Sequence, residues 1–257
     1  AASRSGKLIA PYPLHDKLSY VAGDYAAFTG ETDEHFRKYI EQLDAWASSP
    51  HAVDKVRSIY AYLRKGRLIR DLIDAGILFV DENNRLIDKW DKQYEALYGV
   101  KPKLFSVLSG EQASAFVRFT VHSPRARMLE VWKDPDVYES FIRYYEEKLG
   151  EPDLCYVTGN RLPRTEKHAN KIRNPADKAK LISANDDTGF TYRGRFATSR
   201  EAAGISYDVS QKAHNALKWL INRQGKIIDN RVFLVWSNEA AELPEPTEDT
   251  FDLLGFG

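Results

Sequence analysis

Residues 209–236 read VSQKAHNALKWLINRQGKIIDNRVFLVW. Val209, Ala213, Ala216, Leu217, Leu220 and Ile221 recur at three- and four-residue steps, which predicts an amphipathic helix over 209–224. Asp208 suits the N-cap, Gln211 stands where a capping box needs it, and Gly225 supplies the stop. Arg231 to Trp236 then turns β-branched and aromatic, which predicts a strand. A long helix followed at once by a strand, with further short strands upstream, is the pattern of an α+β protein.

Outward from this stretch, the first thirty residues are rich in Pro and Gly, and helices begin near Asp33. A second helix is expected from Val53 to Ile73, with Val56, Ile59, Tyr60 and Leu63 on one face and Gly76 ending it. Ile77–Val80 and Arg85–Ile87 flank Asp81-Glu82-Asn83-Asn84, a hairpin signal. Asp91–Leu97 and Asp136–Leu149 read as helices, the latter opened by Asp134-Pro135. Ala115–Val121, Leu154–Val157, Lys180–Ser183 and Phe190–Phe196 read as strands. The fold class is α+β: a helical first part followed by a mixed, mostly antiparallel sheet region with packed helices. The expected organisation is a mainly helical segment over 1–101, an α+β core over 102–236, and an acidic, linker-like tail over 237–257.

An apolar fraction of 43% over 257 residues supports a folded core. The apolar runs are too short to span a membrane, and the opening AASRSG lacks the apolar stretch of a signal peptide, so none is expected. One thiol, Cys155, forms no internal disulfide and suits a reducing compartment, so a cytoplasmic location is expected. Net charge is zero, but it is unevenly spread. Arg161–Arg200 carries ten bases and four acids; Glu239–Asp252 carries six acids and no base.

The basic segment has three features of interest. The helix from Val209 places Gln211, Asn215, Lys218 and Asn222 opposite its apolar face, and Val209–Ile228 has four bases and no acid. Such a stripe can lie along phosphates, although a solvated face is its commoner use. Thr188–Phe196, TGFTYRGRF, alternates Phe190, Tyr192, Gly194 and Phe196 with Thr191, Arg193 and Arg195. Adjacent arginines on one face can clamp a backbone or read guanine edges; the aromatics can stack bases or pack a core. Lys167–Lys180 is a base-rich loop whose lysines suit phosphate.

Catalytic signatures are missing: there is no P-loop, nucleophile elbow, HExxH or kinase motif. His122, His168 and His214 are scattered, with no metal-ligand spacing, so no cofactor or metal is expected. Cys155 reads as inert packing, and the chain is expected not to be an enzyme.

Leu154–Phe196, LCYVTGNRLPRTEKHANKIRNPADKAKLISANDDTGFTYRGRF, resembles the signature core of the large subunit of the type I-C CRISPR surveillance complex, Cascade. AHNALKWLINRQG (213–225) and RVFLVW (231–236) are similar to the family's next stretch after that core. RSGKLIAPYPLHDKLSYVAG (4–23), AFVRF (115–119) and YESFIRYY (138–145) resemble upstream parts of the same family. The resemblance implies a chain lacking the family's first segment and its helical C-terminal region. It also implies a non-catalytic subunit that helps recognise the motif beside the target (PAM). Its implied partners are guide RNA, target double-stranded DNA, other Cascade subunits and a helicase-nuclease, with no membrane.

On that resemblance, Arg173, Asn174, Lys178, Lys180, Asn185, Tyr192, Arg193, Arg195, Lys212 and Lys218 become the candidate nucleic-acid contacts. The lysines are assigned to phosphate, and Arg193, Arg195, Asn174 and Asn185 to base edges. A protein–protein or guide-RNA scaffold is the competing expectation, and a metal-dependent nuclease a more distant one.

Overall fold

The computed structural model describes residues 9–108, 110–122, 128–166, 168–174, 176–183 and 195–238. The fold is α+β, as expected: helices of varied length with short antiparallel strand pairs. Two compact units divide the chain, Ala1–Lys148 and Leu149–Gly257.

The first unit opens with β1 (Asp16–Lys17), α1 (Leu18–Val21) and α2 (Tyr25–Thr29), followed by α3 (Glu34–Ala47), α4 (Asp54–Leu63) and α5 (Leu68–Asp74). Then come α6 (Glu95–Tyr98), α7 (Leu104–Val107), β2 (Phe116–Val117) and α8 (Pro135–Glu146). Its core is built on helical spacing. Tyr39, Leu43 and Trp46 of α3 meet Val56, Ile59 and Leu63 of α4, all buried. Helix α8 joins them through Val137 and Tyr144. The Trp46 indole N–H donates to Ser140 Oγ at 3.0 Å, and that hydroxyl donates to the His51 carbonyl at 2.6 Å. Asp134 caps α8 as expected, accepting the Asp136 N–H at 3.0 Å. Residues 102–148, which the sequence groups with the later segment, cluster here. The cause is long-range: β1 pairs antiparallel with β2, Asp16 opposite Val117, and α8 packs on α3.

The single helix expected over Val53–Ile73 is two helices. Gly66 takes φ +62°, and the Asp24 carboxylate accepts the N–H groups of Ile69 and Arg70 at 3.1 and 2.9 Å, starting α5 afresh. The hairpin at 81–84 forms. Val80 bridges Leu86, Asp81 accepts from the Asn83 and Arg85 N–H groups, and Asn84 takes φ 61°. Gln112, fully buried, exchanges hydrogen bonds with Phe79 N–H and C=O and donates to the Ile87 carbonyl. Ala115–Val121 is a strand only at Phe116–Val117, with an isolated bridge from Thr120 to Glu130.

The second unit holds β3 (Pro152–Leu154) paired antiparallel with β4 (Arg161–Pro163), then α9 (Ser199–Ala202), α10 (Tyr207–Gln224) and the hairpin β5 (Lys226–Ile228)–β6 (Arg231–Phe233). The strand expected over Leu154–Val157 is shifted upstream to β3, because Cys155 to Asn160 close a turn through Cys155 N–H to Asn160 C=O at 2.9 Å. Lys180–Ser183, expected as a strand, forms none. Most of Phe190–Phe196 lies outside the described residues.

Helix α10 starts two residues earlier than expected. Ser206, not Asp208, is the N-cap, its hydroxyl accepting the Val209 N–H at 3.3 Å. Asp208 stands in the first turn and pairs with Lys212 at 2.7 Å. The buried stripe is also rotated. Ser210 and His214 are fully buried, whereas Val209, Leu217 and Ile221 are half-buried and Ala216 is exposed. Among the described residues of this unit, the only buried apolar side chains are Cys155 and Ile172.

Candidate nucleic-acid interface

The loop after β4 and helix α10 set the site. Arg173 has three donors engaged: two go to the Asp177 carboxylate at 2.6 and 3.0 Å, and one to the Asn230 carbonyl at 2.7 Å. It therefore ties its loop to the β5–β6 hairpin. The paired guanidinium holds the Asp177 carboxyl down at about 2. Asn174 is exposed and accepts the Ala176 N–H at 3.0 Å, closing a turn. Lys178, Lys180 and Arg195 are exposed; Lys218 is half-buried. Lys212 is exposed but held by Asp208. Asn185, Tyr192 and Arg193 lie outside the described residues.

An open groove of about 350 Å³ brings two of these candidates together. Arg173 and Lys180 stand on it with Leu217 and Ile221 of α10 and with Val232 and Trp236. Among the described residues, every charged side chain lining it is basic. Asn174, Lys178, Arg195, Lys212 and Lys218 do not line it. Two exposed indoles carry no signal in the sequence patterns above. Trp236 closes the groove at 61% exposure. Trp219 projects from α10 at 56% exposure, with the Arg223 guanidinium 4.9 Å from its ring centroid. The helical i, i+4 spacing of Trp219 and Arg223 was the available signal.

The chain matches a family model described as CRISPR-associated protein (Cas_Csd1) over residues 1–255. It belongs to the Cas_Csd1 family. A search of curated proteins found no match. Membership gives this Cas_Csd1 chain a CRISPR-associated, Cascade-type role, and no helix among its described residues is long and apolar enough to cross a membrane.

A second cleft in the same unit, about 250 Å³, has the wrong charge for a phosphate. Glu151, Asp153 and Glu166 outnumber Arg164 and Arg200 there, and Arg200 already pairs with Asp153 at 2.6 Å. His168 and His214, scattered in sequence, are brought together. His168 Nδ1 lies 2.8 Å from Ser210 Oγ, and the two rings stack with centroids 5.9 Å apart. Burial, then neighbouring His214, Lys180 and Arg164, lowers the His168 pKa and favours the neutral ring. The pair pins α10 to the loop carrying Arg173. Among the described residues, no group of three or more His, Cys, Asp or Glu can hold a metal. Cys155 is buried and accepts the Ser206 N–H at 3.4 Å. Burial works to raise its pKa, but hydrogen bonds from Ser206 and Thr158 outweigh this and bring it to about 6.

Proposed function

We propose that this Cas_Csd1 chain is a non-catalytic, nucleic-acid-holding part of the large subunit of a type I-C CRISPR effector complex. Its role is to contact target DNA, contribute to reading the motif beside the target, and help recruit the helicase-nuclease. The observation that carries this reading is the basic and aromatic face of the second unit. Lys180 and the exposed ring of Trp236 line one groove, and helix α10 carries Lys218 beside the exposed ring of Trp219. Lysines neutralise the phosphates of a duplex, and indoles can stack bases of the target strand where it opens beside the motif. Arg173 serves as a strut that shapes this face, since Asp177 and Asn230 use its donors.

The test is fluorescence anisotropy of the chain, at two salt concentrations, with a motif-bearing duplex, a scrambled duplex and single-stranded RNA. Magnesium is present, and the strands are checked on a gel afterwards. Salt-sensitive binding that favours the motif duplex, with strands intact, supports the proposal. Strand cleavage overturns its non-catalytic part. A guide-RNA or subunit scaffold is the second reading. The half-open apolar groove beside Leu217 and Ile221 favours it, and a preference for single-stranded RNA would put it ahead.

A further inference from the structure

Three attachments hold the segment after β4 in place. At its start, the Thr165 N–H donates to the Ile205 carbonyl at 3.2 Å and Arg164 forms a β-bridge with Ser206. Further on, the Arg173 guanidinium donates to the Asn230 carbonyl and the Asp177 carboxylate. Between them, His168 lies against α10. Its Nδ1 is 2.8 Å from Ser210 Oγ, and its ring stacks on His214 with an interplanar angle of 19°. His168, Ser210 and His214 are all buried.

The bonding suits neutral rings. His214 Nδ1 stands 2.6 Å from the Ser210 carbonyl, an acceptor only, so Nδ1 carries the ring hydrogen and Nε2 keeps a lone pair. That Nε2 is buried and meets no hydrogen-bond partner among the described residues. The Ser210 hydroxyl can donate to His168 Nδ1 only while that nitrogen is bare. The charges facing His168 are Lys180 and Arg164 besides His214, and Glu166 reaches Arg164 at 3.4 Å. Cys155, which accepts the Ser206 N–H, is a further titratable group at this end of α10. Burial and then the neighbouring bases hold His168 below its ordinary value of 6.5. The other two attachments do not titrate between pH 7 and pH 5. One is backbone, and Asp177 stays ionised down to about 2.

We propose that the stacked His168–His214 pair is an acid-sensitive latch: a proton taken up by His168 drives its ring off Ser210 and His214 and frees residues 168–172 from α10. The latch is independent of nucleic-acid binding. It makes the seating of a base-rich loop depend on pH. The released imidazole binds its proton more readily than the latched one, so the closed form is fully favoured above 6.5 and loses ground as the pH falls below it.

Amide hydrogen exchange on the full chain, corrected for intrinsic rates, tests it at pH 7 and pH 5. Opening at 168–172 and 210–214 is expected to rise on the order of tenfold at pH 5, the effect of one proton bound only in the open form. The hairpin amides at 226–233 should hold their level. His168→Gln keeps a hydrogen-bonding side chain that does not titrate, and its opening at 210–214 should be the same at both pH values. Cys155→Ala should keep the full response. An NMR titration of the imidazoles in the parent gives an answer that needs no variant: His168 should titrate below 6.5, with protection of 168–172 falling as it does. Opening that is unchanged between pH 7 and pH 5 overturns the proposal. So does an equal rise in His168→Gln, or a response that disappears in Cys155→Ala, which would assign it to the thiol.

Discussion

Gly23 and Gly66 meet backbone to backbone: a Cβ on Gly23 would lie 2.8 Å from the Gly66 Cα and equally close to the Phe36 ring. The contact locks the loop before α2 onto the turn that separates α4 from α5. Gly23→Ala must push a backbone rather than a flexible side chain, so it is expected to cost about 1–3 kcal/mol. The readout is a lower urea midpoint at unchanged slope. Gly76→Ala is the control, since its φ is +68° but nothing lies within 4 Å. It should lose only the left-handed strain, about 1 kcal/mol. No loss in Gly23→Ala would show that the close approach to Gly66 contributes nothing.

Trp46 and Ser140 make the corresponding polar lock between α3 and α8. Ser140→Ala leaves the buried indole N–H without its acceptor and the His51 carbonyl without its donor. The expected loss is about 1–3 kcal/mol. Substituting Trp46 by Phe in the Ser140→Ala background should add less than the same change in the parent. Additive losses would mean the pair is not coupled.

His15 gives the first unit a pH dependence. Its Nδ1 accepts the Phe119 N–H at 3.3 Å, and burial, with the nearby Arg118 charge, lowers its pKa to about 4. A histidine depressed below its ordinary value of 6.5 binds its proton first in the unfolded chain. The stabilising effect is therefore complete above that value and lost as the pH falls from there towards 4. Chemical denaturation of the parent and of His15→Leu at pH 7 and pH 5 should show a smaller loss in the variant. The same loss in both would assign the slope to carboxylates instead.

Arg173 and Asp177 supply a local check on the strut. In Arg173→Gln the Asp177 carboxyl should titrate well above its present value of about 2, in the ordinary carboxylate range. Carbon-detected NMR titration reads it directly. An unmoved Asp177 would mean that the Ala179 N–H, 3.0 Å from its carboxylate, holds it without help.

On the candidate interface, Lys180→Ala should reduce the salt dependence of nucleic-acid binding by about one phosphate contact. Trp219→Ala should weaken single-strand binding by about 1–3 kcal/mol at unchanged salt slope. If neither change alters binding by the assembled complex, the site lies elsewhere.

What the sequence determined by itself was local and periodic. The apolar spacing of Val56, Ile59 and Leu63, the Asp134-Pro135 helix start, the Asp81–Asn84 turn and the α+β class were all legible, because each depends on residues within a few positions of one another. Adjacency in space was not legible. The break at Gly66 comes from Gly23 and Asp24, more than forty residues away. The rotated stripe of α10 comes from His168, whose hydrogen-bonding partner Ser210 replaces an apolar contact, so a helix with a plausible apolar face buries a polar one. Arg173 was readable as a charge, but only the fold commits that charge to Asp177 and Asn230. Periodicity reports which face of a segment prefers cover. Tertiary structure decides what covers it, because that contact is made by residues whose separation along the chain carries no signal.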